Sequence, residues 1–329
     1  MYTIGIDLGG TSIKGGVCDE HGTLLAQDTI ATEAQRGVEH VLARLAALIN
    51  DLPARAALDS SEIAAVGVGA PGPLSQETGV VHNAPNLPGW VNIPLRERLS
   101  AMTGHPVVLE NDANAAAFGE FIAGAGRNVS SLVMLTLGTG IGGGIVLDGR
   151  VWRGCDGAGA EIGHLVLVPG GRPCPCGQQG CFERYASANA VAERLVEAIQ
   201  AGAPCRLKAD VDAGHALDAR DVLQATANDA LARRIWDETC HYLALGCVSL
   251  ERIISPERIV LAGGLINAGE QLLAPVRSEF QRLRWHLTPV CVEIVLATLG
   301  TDAGTIGAAA LARAAVTGPS HPQERPPQV

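Results

Sequence analysis

Apolar and polar positions change period several times along this chain, and each change marks an element. Thr3–Asp7 reads as a strand, "LGGTS" as a tight turn and Lys14–Cys18 as a second strand; "DEHG" then turns into a third, "TLLAQDTI". From Val38 the spacing becomes helical, with Val38, Val41, Leu42, Leu45, Leu48 and Ile49 on one face. "IAAVGVGA" (63–70) and "PVVLE" (106–110) are short continuous apolar runs, the pattern of strands buried on both sides. "NAAAFGEFIAGAG" predicts a helix that begins just after Asp112.

At residue 132 the pattern begins again. "LVMLTLGTGIGGGIVLDGRVW" reads strand, glycine–threonine turn, strand, Asp148-Gly149 hairpin, strand, and so repeats the opening of the chain. A long helix over Ala230–Ile254 carries Leu231, Ile235, Leu243, Cys247 and Leu250 on one face. "RIVLAGG" (258–264) predicts one more strand ending in two glycines, and an Ala-rich helix covers about 303–316. The duplication predicts two α/β domains facing each other across a cleft. One is expected to comprise residues 1–112 plus about 303–317, and the other 113–302, with a disordered Pro-rich tail over 318–329.

Composition narrows the function classes. Acids outnumber bases 34 to 24, a formal net charge of −10, and such a surface repels a phosphate backbone, so nucleic acid is not expected as a partner. No 18-residue apolar run spans a membrane, and the N-terminus lacks a basic leader pattern, so a cytoplasmic protein is expected. Of nine cysteines, Cys174, Cys176 and Cys181 crowd into eight positions while the rest are scattered, which suits a reducing compartment and one metal site. His164 belongs to the same loop, and Glu161 and Glu183 flank it.

The glycine turns carry the next signal. "GTGIGG" satisfies a dinucleotide-binding spacing, but it runs into the strand-like "GIVLDG" instead of opening a helix. Two such turns with Thr11 and Thr139 could instead form two halves of an anion cradle, although each alone could be an ordinary hairpin. Asp7, ending the first strand, could hold a water of hydrated Mg²⁺ or simply cap the turn. Asp112 could be an N-cap; equally, a carboxylate kept ionised at a helix start suits a general base for an alcohol.

"DLGGTSIKGG", "ENDANAAAFGE", "LGTGIGGG", "EIGH", "CPCGQQGCFE" and "IVLAGG" follow one another in the order of the ROK family of sugar kinases and repressors. The resemblance runs from residue 3 to about 315, and within the family it is nearest to bacterial ATP-dependent glucokinases. It implies a two-domain actin-like ATPase (ribonuclease H-like) α/β fold with a sugar and ATP cleft. The implied reaction uses ATP and Mg²⁺ and moves the γ-phosphoryl group to a hexose 6-hydroxyl. Asp112 matches the catalytic base, and Asn86, Asn111, Asp112, Glu161, His164 and Glu183 match sugar-contacting positions. Asp7, Gly9, Gly10, Thr11, Gly138, Thr139, Gly140, Gly263 and Gly264 match the nucleotide site. His164, Cys174, Cys176 and Cys181 match the ligands of a structural Zn²⁺, a closed Cys₃His set. One departure is Ser249 and Ser255, where the family often carries Asn and Asp; their expected effect is on helix capping near the adenosine site.

Other readings stay open on sequence alone. Kinases for N-acetylglucosamine, N-acetylmannosamine or fructose share these motifs, and polyphosphate could replace ATP as donor. A DNA-binding repressor is disfavoured because the first strand begins by residue 3, and a non-catalytic sugar sensor would not need both glycine turns. The partners expected are a hexose, ATP and a second copy of the chain in a homodimer.

Overall fold

The computed structural model describes residues 1–155, 157–286 and 292–318; the expected tail beyond Gly318 lies outside them. The described residues fall into two compact units, one from 1–132, 144–160 and 298–318, the other from 133–143 and 161–297.

The first unit is built on the strands β1 (Tyr2–Leu8), β2 (Ser12–Cys18), β3 (Leu24–Ala31), β4 (Ile63–Ala70) and, later in the chain, β8 (Val107–Asn111). Their order is β3-β2-β1-β4-β8, with β1, β4 and β8 parallel and β2 antiparallel to both its neighbours. Period-2 alternation gives β1 two different faces. Ile4, Ile6 and Leu8 join the buried stripe Val41, Leu42, Leu45, Leu48, Ile49 and Leu52 of α1 (Val38–Arg55) in one core. A small sheet of β5 (Leu74–Ser75), β6 (Val80–Asn83) and β7 (Val91–Ile93), then α2 (Leu95–Thr103), precede β8, and α3 (Asp112–Ala123) follows it.

The other face of β1 carries Thr3, Gly5 and Asp7, and there the C-terminal helix, residues 303–317, lies almost on the strand backbone. A Cβ on Gly5 would come within 1.8 Å of the Thr305 carbonyl, and one on Gly67 of β4 within 1.9 Å of the Ala308 carbonyl. Gly67→Ala is therefore expected to destabilise the protein by about 3 kcal/mol, the upper end of core overpacking, and to lower the thermal midpoint by roughly 6 °C or more. A parental midpoint in a thermal melt would show that the helix lifts off at no cost.

In the second sheet β9 (Ser131–Leu137), β10 (Ile141–Leu147) and β11 (Arg150–Val151) are joined by β12 (Arg258–Ala262) and β13 (Glu293–Leu296). The order β11-β10-β9-β12-β13 matches the first sheet position for position, again with an antiparallel pair at one edge and a parallel pair at the other. The duplication read from the two β-turn-β segments thus extends to all five strands. Helices α4 (Glu183–Ala186), α5 (Ala188–Gln200), α6 (Lys208–Asp212), α7 (Ala219–Ala225), α8 (Ala230–Ile253) and α9 (Glu270–Leu283) complete the second unit, and α10 (Ala303–Thr317) closes the first.

The expected domain boundaries at residues 112 and 303 differ from these units. α3 stays with the first unit because it interlocks with α10. A Cβ on Gly307 would meet the Ala115 carbonyl at 1.7 Å, and one on Gly119 the Ala303 carbonyl at 2.2 Å. Residues 144–160, at the end of β10 and beyond, also group with the first unit, as does the return segment from Thr298.

Candidate active site

In the first unit the candidate residues collect at the carboxyl ends of the parallel strands β1, β4 and β8, where open α/β sheets bind ligands. Asp7 sits on the α10 face of β1, its carboxylate 2.7 Å from the place a Cβ on Gly304 would take. Burial pushes its pKa up to about 6, the charge of Asp112 adds to this, and Lys14, its register partner on β2, works against it. The turn after β1 is closed by Gly9 N–H donating to the Ser12 carbonyl (3.0 Å), while Thr32 Oγ1 donates to the Gly9 carbonyl (2.7 Å). Thr11 stays exposed at the tip. Gly10 is required by close approach, since a Cβ there would lie 2.9 Å from the Asn86 carbonyl; Asn86 is thereby held against the turn.

The start of α3 differs from the sequence reading in one respect. Asn111, not Asp112, is the N-cap, and its Oδ1 accepts from the amides of Ala113 (3.0 Å) and Asn114 (3.2 Å). Asp112 is the first helical residue, with Oδ1 accepting from the Ala113 amide at 2.8 Å. Because the neighbouring side chain does the capping, the helix does not depend on Asp112 for it.

The buried Asp7 carries a cost that depends on pH. Its folded-state pKa of about 6 lies above the ordinary aspartate value of 3.8. Its charge therefore opposes folding most fully above pH 6, and the penalty disappears as the pH falls below the unfolded value. Asp7→Asn is expected to raise the stability of the ligand-free protein at pH 7.5 by up to about 3 kcal/mol and to change it little near pH 4. Thermal melts at the two pH values check this; equal shifts would remove burial as the cause.

In the second unit the turn Gly138-Thr139-Gly140 follows β9, closed by Gly138 N–H donating to the Gly140 carbonyl at 3.0 Å. The Glu183 carboxylate lies directly behind it: Oε2 accepts from the Ile141 amide at 3.0 Å, and a Cβ on Gly140 would come within 2.1 Å of the same oxygen. The Glu161–His164 turn packs on the same residue from the other side, a Cβ on Gly163 falling 2.1 Å from the Ile141 carbonyl. Glu161 is exposed and His164 half-buried. Gly263, at φ 86°, leaves β12 against Leu137 at the end of β9, where a Cβ would lie 2.6 Å from the Leu137 carbonyl.

The Cys/His loop folds back on itself through bridges pairing Val166 with Cys181 and Pro173 with Gln179. It brings one ligand atom each of His164, Cys174, Cys176 and Cys181 within 4.8 Å of one another. His164 Nδ1 is 3.6 Å from Cys174 Sγ, and Cys176 and Cys181 sulfurs are 3.6 Å apart. Tetrahedral zinc with Zn–S bonds of about 2.3 Å requires sulfurs roughly 3.8 Å apart, so the residues fit such an ion. The face of His164 turned to the cluster is Nδ1.

A separate cavity of about 520 Å³ opens between α7, the segment after β12 and the start of α8, lined by Asp218, Arg220, Leu223, Trp236, Gly264 and Asn267 among others. Asp218 is fixed by a capping box with Asp221, and Trp236 Nε1 donates to the Gln271 carbonyl at 3.0 Å.

A ROK family model matches residues 3–315. The chain belongs to the ROK family. A glucokinase of Thermotoga maritima is 39% identical, the alignment covering 97% of this chain and 99% of that one. The solved ROK hexokinase of Thermus thermophilus superimposes with a TM-score of 0.82 at 37% identity, over 96% of this chain and 99% of the other. A Streptomyces griseus ROK glucokinase, solved with glucose and AMPPNP, gives 0.75 at 35% identity, over 95% and 99%. As a ROK protein the chain thus has the two-domain actin-like α/β fold expected from its motifs, and it is a hexokinase-type sugar kinase.

Sequence reading missed two groups of residues in this ROK chain. The cavity residues Leu223, Trp236 and Asn267 stand in no motif, and only tertiary packing brings them to Gly264. Glu110, 2% exposed inside the apolar run "PVVLE", did carry a signal, because a lone acid ending a buried strand needs partners. Ser249 and Ser255, expected to affect helix capping, do not line this cavity. Ser249 Oγ bonds back to the Leu245 carbonyl, and Ser255 ends α8 at φ 50°.

Proposed function

We propose that this ROK chain phosphorylates glucose at its 6-hydroxyl, taking the γ-phosphoryl group of ATP and releasing ADP. The observation that carries this reading is the grouping of Asp112, Asn111, Asp7 and the Gly9–Thr11 turn at the ends of three parallel strands. Phosphoryl transfer needs aligned reactants, neutralised phosphates and one carboxylate to accept the hydroxyl proton, and little else from a protein. The identity to the T. maritima glucokinase supports glucose as the hexose.

In this reading Asp112 takes the proton from the 6-hydroxyl as the oxygen attacks phosphorus. Asn86 and Asn111 in the first unit, and Glu161, His164 and Glu183 in the second, bind and orient the sugar hydroxyls. Backbone amides and hydroxyls of the turns at Gly9–Thr11 and Gly138–Gly140 take the phosphate oxygens. The cavity beside Gly263 and Gly264 suits the adenosine in size and polarity. Asp7 would hold hydrated Mg²⁺, whose charge offsets that of the phosphates; a buried carboxylate with a raised pKa is a group that gains from a nearby cation. His164, Cys174, Cys176 and Cys181 would hold a structural Zn²⁺ that locks the His164 ring and leaves its Nε2 for a sugar hydroxyl.

The test is a coupled ADP-release assay with glucose, N-acetylglucosamine, N-acetylmannosamine, mannose and fructose, with and without Mg²⁺, and with polyphosphate as a second donor. Glucose with ATP and Mg²⁺ is expected to give the highest kcat/KM and glucose 6-phosphate as product. Another hexose ahead by tenfold or more would overturn the substrate and leave the kinase class standing.

A further inference from the structure

Glu110 occupies a place that the proposed chemistry does not explain. Its carboxylate, 2% exposed at the end of β8, is the meeting point of four segments. Oε1 accepts from the amide of Asn111 (3.0 Å), from Gln76 Nε2 (2.9 Å) and from Asn114 Nδ2 (3.1 Å). Oε2 faces Arg153, whose Nε donates at 2.7 Å and whose Nη2 lies at 2.6 Å. Both oxygens are thus fully engaged, and every donor is fixed in direction.

A buried charge pair is a poor way to gain stability, because desolvation offsets most of the attraction. Here the geometry points to another role. Two of the Glu110 contacts end on Asn111 and Asn114, the residues on either side of the Asp112–Ala113 step. Asn114 is itself buried, and its Oδ1 has no hydrogen-bond partner among the described residues. Its amide is therefore turned to give the N–H to Glu110 even though its oxygen goes unsatisfied. The Arg153 arm reaches in from the segment after β11, where Gly159 N–H donates to the Arg153 carbonyl at 2.8 Å. Arg153 grips Oε2 with two nitrogens while three amide donors hold Oε1, so the carboxylate is tied at both ends and the β8–α3 junction is held with it.

We infer that Glu110 and Arg153 are positioning residues for phosphoryl transfer: the pair holds the Asn111 and Asp112 side chains in their reactive orientation. The inference rests on the reading of Asp112 as base and Asn111 as sugar ligand. A displacement on the order of 1 Å at such a group costs up to about 10²-fold in rate, so a partial loss of order costs roughly tenfold. The effect belongs to the sugar side, and ATP recognition should not feel it.

Glu110→Gln keeps the volume and one acceptor but turns an amide N–H₂ toward the Arg153 donors. Arg153→Met removes the cation, and Arg153→Lys restores it. Each is compared with the parental enzyme in kcat, glucose KM and ATP KM, below its own melting temperature. Glu110→Gln and Arg153→Met are expected to lower kcat about tenfold and to raise glucose KM several-fold, with ATP KM within about twofold. Arg153→Lys should recover most of the rate, and the double variant should be no worse than either single one. A purely structural pair would lower the melting temperature and leave these constants alone, and that result overturns the inference. Should Glu110→Gln not fold, Arg153→Met, on a side chain 36% exposed, decides by itself: a parental kcat overturns it. A parental chain without hexose kinase activity would sink the underlying reading and the inference together, whereas active parent and active variants sink only the inference.

Discussion

Asp112→Asn is expected to lower kcat by about 10²–10⁴-fold while glucose affinity stays within a few-fold of the parent. The substitution keeps the size of the side chain and its acceptor oxygen, so the 2.8 Å bond from the Ala113 amide can persist. Helix α3 keeps its cap as well, because Asn111 supplies it. What is lost is a group able to take a proton. A second consequence follows from the pairing with Asp7, since the Asp112 charge contributes to the raised pKa of that residue. The ligand-free variant should ionise Asp7 at a lower pH than the parent does. Steady-state rates and equilibrium glucose binding on the same sample separate the two effects; a variant keeping more than a tenth of parental kcat removes Asp112 as the base.

Cys176→Ser is expected to bring zinc below one ion per chain, to lower the thermal midpoint and to raise the glucose Kd at least tenfold. Cys176 is exposed, and its sulfur is drawn down to a pKa of about 7, chiefly by the backbone amide of Gln178, so it is well suited to bind as a thiolate. Serine is a poor zinc ligand, and with an open set the His164 ring is free to turn. Glu161 begins the short turn that ends in His164, and that turn packs on Ile141, whose amide donates to Glu183. Loss of the metal therefore reaches both acids through one backbone step, and a displacement of about 1 Å there costs on the order of 10²-fold. ATP affinity should change far less. Zinc content, melting temperature and glucose Kd measured on the folded fraction decide it. A folded, zinc-free variant with parental glucose affinity would falsify the link between the metal loop and sugar binding, leaving the loop a structural clip.

The elements themselves were largely legible in the chain. Short runs bounded by turns gave β1, β2, β3 and β9, continuous apolar runs gave β4 and β8, and helical spacing gave α1 and α8, because burial constrains residue type at every step of a regular element. The grouping of His164, Cys174, Cys176 and Cys181 was legible for a similar reason: residues within one short loop need no long-range contact to come together. Of the two roles left open for Asp112, the capping one belongs to its neighbour Asn111, since both can cap and only the φ and ψ of each decide which does.

What the sequence by itself determined is therefore local: strands, helices, glycine turns and the spacing that gathers His164 and three cysteines into one loop. Only tertiary structure decided which of these meet. It placed α3 with the first unit, because Gly119 and Gly307 let two helix backbones touch. It gathered Leu223, Trp236 and Asn267 around Gly264, and it fastened Arg153 to Glu110 across 43 positions of chain. The physical reason is that a residue's type records whether it is buried or polar, while its partner is set by close packing of distant segments, which leaves no period in the chain.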